Sequence, residues 1–307
     1  MSKEVPDLIF DEEKRIRKLK ARERRSFLKK VLGLICAILP SYFYLRFEAN
    51  WIEVTNKKVL IPKLSNQTPI KLLHLSDLHF SETVSLEEIE FAFREGFLLS
   101  PDICVITGDF ITNKKSENEL NDFAKLLRNF ATKVPTFATL GNHDGGSWAA
   151  THGGFQNTQK IEFVLKNAGI KLLQNRRESI YIKGQPISIT GLGDLWSKTC
   201  LPHLCLSKKG NREKKIPEIV LCHNPDAKEL LAPYDWDLML CGHTHGGQFK
   251  IPFINMTPFA PVRDHSIVEG LHTWNNRQIH VTRGVGNLWG IRLNCRPEIS
   301  ILEIHPA

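Results

Sequence analysis

The sequence contains no C-x-x-C pair, and its cysteine count is odd: seven in 307 residues. Cys36, Cys104, Cys200, Cys205, Cys222, Cys241 and Cys295 are scattered. Cys104, Cys222 and Cys241 lie inside apolar runs, where a free thiol behaves as a small buried hydrophobe. Neither a disulfide framework nor a structural zinc site is expected, and the body suits a reducing compartment. There is no internal repeat and no low-complexity tract. The apolar stretch from Val31 to Leu45 (VLGLICAILPSYFYL) has only fifteen residues, short of the roughly 20 that a membrane span needs, and Pro40 disfavours a straight helix through it.

What is present is an ordinary globular composition, 42% hydrophobic and 24% charged, with room for a real core. The formal charge of +8 is unevenly placed. Residues 1–50 hold 12 Lys/Arg against 7 Asp/Glu, a balance of +5, leaving +3 for the other 257. This excludes a broadly basic, nucleic-acid-binding body and marks the N-terminal end as the part facing a membrane. From Lys14 to Lys30 there are ten basic residues and one acid, Glu23. Tyr42, Tyr44 and Trp51 have rings that settle at headgroup depth. Arg24–Lys29 also resembles a twin-arginine export signal, although no A-x-A cleavage site follows. Residues 1–50 are thus expected to form a basic segment that meets the membrane surface through residues 14–45, ahead of a catalytic domain over 51–307. Three arrangements remain: an anchor on the cytoplasmic face of the inner membrane, a signal anchor with the body exported, or a vestigial signal. A buried first helix of the domain is the plain alternative.

After Leu64-Ser65-Asn66-Gln67, short apolar runs alternate with helical patterns, as in layered α/β proteins. Strands are expected at Ile70–Leu75, Ile103–Ile106, Val134–Leu140, Ile219–Cys222, Leu238–Cys241, Ile267–Leu271, Ile279–Thr282 and Ile299–Ile304. Ile180–Ile182 and Ile187–Thr190 read as a hairpin closed near Gly184. Helices are expected at Leu86–Leu99, Glu119–Phe130 and Gln159–Asn167; in the first of these Leu86, Ile89, Ala92, Phe93 and Phe97 share a face. Ser207–Lys215 reads as a polar, basic loop.

Five polar clusters each follow an apolar strand directly: Asp77-Leu78-His79, Gly108-Asp109, Gly141-Asn142-His143-Asp144, His223-Asn224-Pro225 and Gly242-His243-Thr244-His245. Sites in α/β sheets form just beyond strand ends. In extended chain, residues i and i+2 point the same way, so Asp77 with His79, and His243 with His245, are expected to grip an ion as pairs. Gly108, Gly141 and Gly242 permit close backbone approach. Carboxylate, imidazole and amide donors without a thiolate suit Mn²⁺, Fe²⁺ or Zn²⁺. Seven such donors are too many for one ion with an open position, but fit two ions sharing a carboxylate. Any one cluster alone would more often be a surface turn or a core histidine.

The series DLH, GD, GNHD, HNP and GHTHGGQ resembles the calcineurin-like metallophosphoesterase superfamily from Ile70 to the end. The resemblance implies a β-sandwich flanked by helices, four layers in all, in the broad α/β (α+β) class. It implies one ion held by Asp77, His79 and His245 with Asp109, which bridges to a second ion held by Asn142, His223 and His243. It further implies that His143 contacts the scissile phosphate or protonates the leaving oxygen, oriented by Asp144. Longer runs, GDLW (Gly193–Trp196), WDLMLCGHTHGGQ (Trp236–Gln248), FAPV (Phe259–Val262), TRGVG (Thr282–Gly286) and RLNCRPE (Arg292–Glu298), resemble a YaeI-type bacterial phosphodiesterase branch. That branch is similar to UDP-2,3-diacylglucosamine pyrophosphatases of lipid A synthesis. The expected activity is release of UMP from that nucleotide-sugar lipid; the alternative is hydrolysis of a broad range of phosphodiesters or phosphate esters, with export of the body one of the arrangements above. Two Mn²⁺ ions are the expected cofactors. Arg283, with Arg263, Arg292 and Arg296, is a candidate to hold a substrate phosphate, and Trp196, with Trp148 and Trp289, to flank the site. Surface ion pairs and core packing are the respective alternatives.

Overall fold

The computed structural model describes residues 5–64, 68–210 and 216–307. The chain divides into two units, residues 1–45 and 46–307. The change of pattern at residues 65–67 and the end of the expected basic loop, 211–215, lie outside the described residues. Helix α1 (Val5–Asn50) continues through Pro40. Among the described residues it is the one helix long and apolar enough to cross a membrane, over Arg17–Asn50. The second unit begins five residues earlier than the expected 51. Arg46 Nη1 donates to the Gly290 carbonyl at 2.9 Å, and buried Glu48 accepts from the Cys295 amide at 2.6 Å.

Two six-stranded sheets follow. The first has the order β1 (Glu53–Ile61), β12 (Glu298–Pro306), β2 (Ile70–Leu75), β3 (Ile103–Thr107), β4 (Thr136–Thr139), β5 (Lys171–Leu172). The second runs β10 (Gly270–Trp274), β11 (Arg277–Val281), β9 (Leu238–Cys241), β8 (Glu218–Leu221), β7 (Gln185–Gly191), β6 (Arg176–Ile182). Strands β2, β3 and β4 are mutually parallel, as are β7, β8 and β9. Central strands of this kind are covered on both faces, which explains their nearly continuous apolar runs.

Leu72, Val105 and Phe137 from the first sheet meet Ile189, Leu221 and Leu240 from the second in the space between them. Leu73, Leu75, Ile106 and Ala138 face the other way, onto helices α2 (Leu86–Leu98), α3 (Glu117–Ala131) and α5 (Gln159–Ala168), which reach them through Ile89, Phe93, Phe123, Leu127 and Leu165. A short helix, α4 (Ser147–Thr151), lies between α3 and α5 in the chain. On the outer face of the second sheet, Val220, Met239 and Cys241 pack with Leu192, Leu231 and Trp236. Helices α2 and α3 start at reciprocal caps. The Ser85 hydroxyl accepts from the Glu88 amide while Glu88 accepts from the Ser85 amide, and Ser116 and Glu119 repeat the arrangement. The resulting mixed α/β sandwich flanked by helices is the expected one.

Helix α4 and strand β5 are not among the expected elements, and two further elements differ from expectation. The strand expected at Ile267–Leu271 forms at Gly270–Trp274, because Ile267 packs into the outer core and Val268 is buried, its carbonyl accepting from the Thr244 hydroxyl. Strand β1, which the apolar pattern did not reveal, pairs in parallel with β12. It is an edge strand whose outward residues, Asn56 and Lys58 among them, are solvated.

Candidate metal centre and catalytic pocket

Strands β2, β3 and β4 of the first sheet and β8 and β9 of the second end at the same edge of the sandwich. All seven donor side chains meet there. Asp77, His79 and His223 are fully buried, and Asp109, Asn142, His243 and His245 are nearly so. Two groups stand out, Asp77 with His79 and His245, and Asp109 with His223 and His243; in each, the ligand atoms lie within 4.8 Å of one another. Asp109 Oδ2 lies between them, 3.4 Å from His79 Nε2 and 3.1 Å from His223 Nε2. His143 also comes within 4.8 Å of His79 and Asp109.

The local backbone is not the extended chain expected. Asp77, His79, Asp109, His243 and His245 have φ between 48° and 69°. Left-handed backbone costs of order 1–3 kcal/mol per non-glycine residue and persists where the surroundings enforce it. Pairing of Asp77 with His79 therefore comes from a sharp turn, with Leu78 between them packed in the core. Gly108 (φ 93°) makes the turn before Asp109. At Gly242 a Cβ would collide with the Ser76 and Asp77 side chains, so only glycine lets β9 pass so close to β2.

The imidazoles are anchored from behind. His79 Nδ1 meets the Thr112 hydroxyl at 3.0 Å, and His223 Nδ1 donates to the Thr107 carbonyl at 2.7 Å, so each turns Nε2 toward the cluster. His243 is reversed: Nδ1 faces His223 at 3.2 Å and Nε2 lies 3.3 Å from the Pro261 carbonyl. Burial pushes His79 and His243 down to about 3 and His245 well below its ordinary value, which keeps these rings neutral, as cation ligands must be. Burial also raises Asp77, to about 6. Asp109 and His223 go the opposite way. Burial opposes charge on both, but their contact outweighs it, holding Asp109 well below the carboxylate range and lifting His223 to about 10.

Asp144 does not touch the His143 ring. Its carboxylate accepts from the amides of Asp109 (2.8 Å), Phe110 (2.6 Å) and Gly141 (2.8 Å), clamping the loop after β3 to the loop after β4. Burial and then Asp109 push it up to about 8, against the backbone donors. His143 Nδ1 instead donates to the Thr112 carbonyl at 3.1 Å, and its amide donates to Asp109 Oδ1 at 2.9 Å. Direct orientation of His143 by Asp144 is thus replaced by orientation through Thr112. Nothing in the local sequence signalled Thr112 or the Thr107 carbonyl. Asp194, in the Gly193–Trp196 run, is likewise buried, with Oδ1 unpartnered.

Above this floor is a pocket of about 180 Å³. Its walls are His143, Trp148, Trp196, Phe259, Pro261 and Trp289. Trp196 stands edge-on to His243 at 4.3 Å, so the three expected tryptophans do surround the site. His152 stacks on the outside of Trp148 at 3.9 Å.

The arginines do not line it. Arg283 is committed to carboxylates, 2.6 Å from Glu53 and 3.2 Å from Glu298. Fully buried Arg292 donates to the carbonyls of Arg283, Gly286 and Cys295. Arg296 lies over Trp51 at 3.8 Å. Arg263 lines a separate cavity on the far side of Trp196. The ion-pair alternative accounts for Arg283 and Arg296, whereas Arg292 is buried and spends its donors on backbone carbonyls.

The buried Asn142 Oδ1 has no hydrogen-bond partner, although amide oxygens so placed are nearly always paired. At the same strand edge as two carboxylates and four imidazoles, this atom fits a cation ligand. The calcineurin-like phosphoesterase signature matches residues 70–247. The chain belongs to that family and is a metal-dependent phosphoester hydrolase. It is 39% identical to the phosphodiesterase YaeI of Escherichia coli over 282 residues, 92% of this chain and 98% of the relative. It is 29% identical to YkuE of Bacillus subtilis, an uncharacterized metallophosphoesterase, over 93% of this chain and 99% of the relative. To LpxG of Chlamydia trachomatis, a UDP-2,3-diacylglucosamine pyrophosphatase, the identity is 26% over 83% of this chain and 90% of the relative.

Proposed function

We propose that this protein is a two-cation phosphodiesterase of broad substrate range, with Asp109 shared between the cation positions. The observation that carries the reading is the Asp109 carboxylate lying between two donor groups, 3.4 Å from His79 on one side and 3.1 Å from His223 on the other. Asp77, His79 and His245 would complete one position, and Asn142, His223 and His243 the other. This donor set suits Mn²⁺, Fe²⁺ or Zn²⁺. Divalent ions so held supply Lewis acidity and bring the pKa of water from 15.7 toward about 7.

The chain's own groups do the rest. His223 must give up its proton for its nitrogen to serve as a ligand. His143, held at Nδ1 by Thr112, offers Nε2 to the pocket, where in cationic form it donates to a phosphoryl or leaving oxygen. Asp144 is a positioning residue: it fixes the backbone that carries Asp109 and Asn142. Trp148, Trp196 and Trp289 shelter the pocket and offer faces to an apolar or aromatic leaving group.

Similarity at 39% to a phosphodiesterase, against 26% to the pyrophosphatase, supports the broad-range reading over lipid A precursor cleavage. The apolar helix α1 favours keeping the second reading alive, since it suits a substrate lying in a membrane. In both readings α1 holds the chain at the bacterial inner membrane, with the body on the cytoplasmic face for the lipid pyrophosphatase, and on that face or exported for the broad-range phosphodiesterase. Purified full-length protein with Mn²⁺ is expected to release nitrophenol from bis(p-nitrophenyl) phosphate and no UMP from UDP-2,3-diacylglucosamine. Release of UMP without action on the bis-ester would replace this reading with the lipid pyrophosphatase.

A further inference from the structure

The rim of the catalytic pocket carries an apolar projection. From Ile251 to Met256 every residue is exposed, including Ile254, and Phe253 is as open as a side chain in a free peptide (102%). The loop is nevertheless built. The Ile251 amide donates to the Met256 carbonyl at 2.9 Å and the Asn255 amide to the Ile251 carbonyl at 3.1 Å. Thr257 behind it is buried. At its base Phe249 packs between Phe259 and Trp289, each 5.9 Å away, and those two rings are pocket walls.

Three features of this projection select its partner. It is a convex knob, which a fluid apolar phase accepts without a preformed pocket. It carries no charge from Ile251 to Val262; of the cations flanking it, Lys250 is paired with Glu269, which leaves Arg263, followed by Asp264. An uncharged apolar tip with the Arg263 cation beside it suits an anionic lipid surface. The same chain also contains a helix apolar enough to enter a membrane. Exposed apolar patches of this kind mark interaction sites.

We infer that the Ile251–Met256 loop docks on the surface of an anionic bilayer, so that the catalytic mouth opens against phosphodiesters lying there. The lipid contact stands on the loop alone; only its use for substrate rests on the function proposed above.

The test places a nitroxide at Phe253→Cys in full-length protein lacking the accessible cysteines (Cys36→Ser, Cys205→Ser). The protein is reconstituted in vesicles of phosphatidylcholine and phosphatidylglycerol, with a control label at exposed Tyr181→Cys. The label at 253 is expected to collide more with oxygen than with a water-soluble nickel chelate, and the label at 181 the reverse. A label at 253 that stays aqueous overturns the inference, whether or not the protein then self-associates.

A second variant, Phe253→Ser with Ile254→Ser and Met256→Ser, is expected to leave bis(p-nitrophenyl) phosphate turnover unchanged. It should slow hydrolysis of a hexadecyl p-nitrophenyl phosphodiester in the same vesicles about tenfold, a fraction of the transfer energy of three apolar side chains. An equal loss on both esters overturns the docking role. If neither protein hydrolyses the soluble ester, the catalytic reading fails and the label at 253 still decides the loop.

Discussion

The two sheets contribute different chemistry to one site. The first sends Asp77, His79, Asp109 and Asn142 from the ends of β2, β3 and β4, three of them oxygen donors. The second sends only imidazoles, His223, His243 and His245, from the ends of β8 and β9. Asp77 and His79 meet His245 from the second sheet, and Asp109 meets His223 and His243; a third group, His79, Asp109 and His143, comes from the first sheet alone. An ion held as proposed in either of the first two groups would join the sheets at this edge.

The hardest blow to that picture would come from Asp109, the carboxylate between the groups. Asp109→Ala is expected to lose both metals and all detectable turnover, read by elemental analysis alongside bis-ester hydrolysis. Two ions retained by the variant would refute the shared ligand. His143→Ala, by contrast, should keep its metals and lose about 10²–10⁴-fold in turnover, the usual worth of a positioned proton donor. Full activity would remove His143 from the chemistry.

Chelation probes the coupling of the sheets itself. An ion present at 100 times its Kd stabilises by about 2.7 kcal/mol, so stripping it should lower the thermal midpoint by roughly 5–10 °C in a body of this size. The shift should shrink in His223→Ala, which loses one position. A midpoint indifferent to chelator would mean that the sheets hold each other without the ions.

Arg283 gives a contrast, since it ties the sheets by ion pairs to Glu53 and Glu298. Burial raises Glu298, but Arg283, with His280, the Thr55 hydroxyl and the Arg283 amide adding to it, holds that carboxyl below its ordinary value. Arg283→Ala should cost about 2–3 kcal/mol at neutral pH, somewhat less than a fully buried pair because Arg283 is partly solvated. Because the folded value is depressed, this stabilisation is present above the ordinary glutamate pKa of about 4.3 and is lost as pH falls through the folded one. Urea melts at pH 7 and pH 3 should therefore show the gap between wild type and variant closing in acid. A gap of equal size at both would assign the loss to packing.

Much of the frame could be read in advance, because its signals are local. Apolar runs bounded by Gly and polar clusters mark β2, β3, β8 and β9, and the shared face of Leu86, Ile89, Ala92, Phe93 and Phe97 marks α2. The errors have physical causes. The i, i+2 spacing predicts Asp77 and His79 as neighbours on an extended strand, whereas they sit in a left-handed turn enforced by the packing of Leu78 and the close approach of Gly242. The resemblance implies that Asp144 orients His143, but its carboxylate finds three backbone amides that only folding brings to it. Arg283 looked free to take a phosphate until Glu53, from an unforeseen edge strand, arrived beside it.

What the sequence alone determined is the inventory: four imidazoles, two carboxylates and one amide, each placed directly after an apolar strand, because strand burial and side-chain chemistry are properties of a few adjacent residues. What only the tertiary structure decided is who meets whom. It set Asp109 between the two donor groups, gave His143 its anchor at Thr112, and left Phe253 and Ile254 in water when their apolar character would place them inside. Those outcomes depend on surfaces far apart in the chain reaching the same edge, which no local pattern encodes.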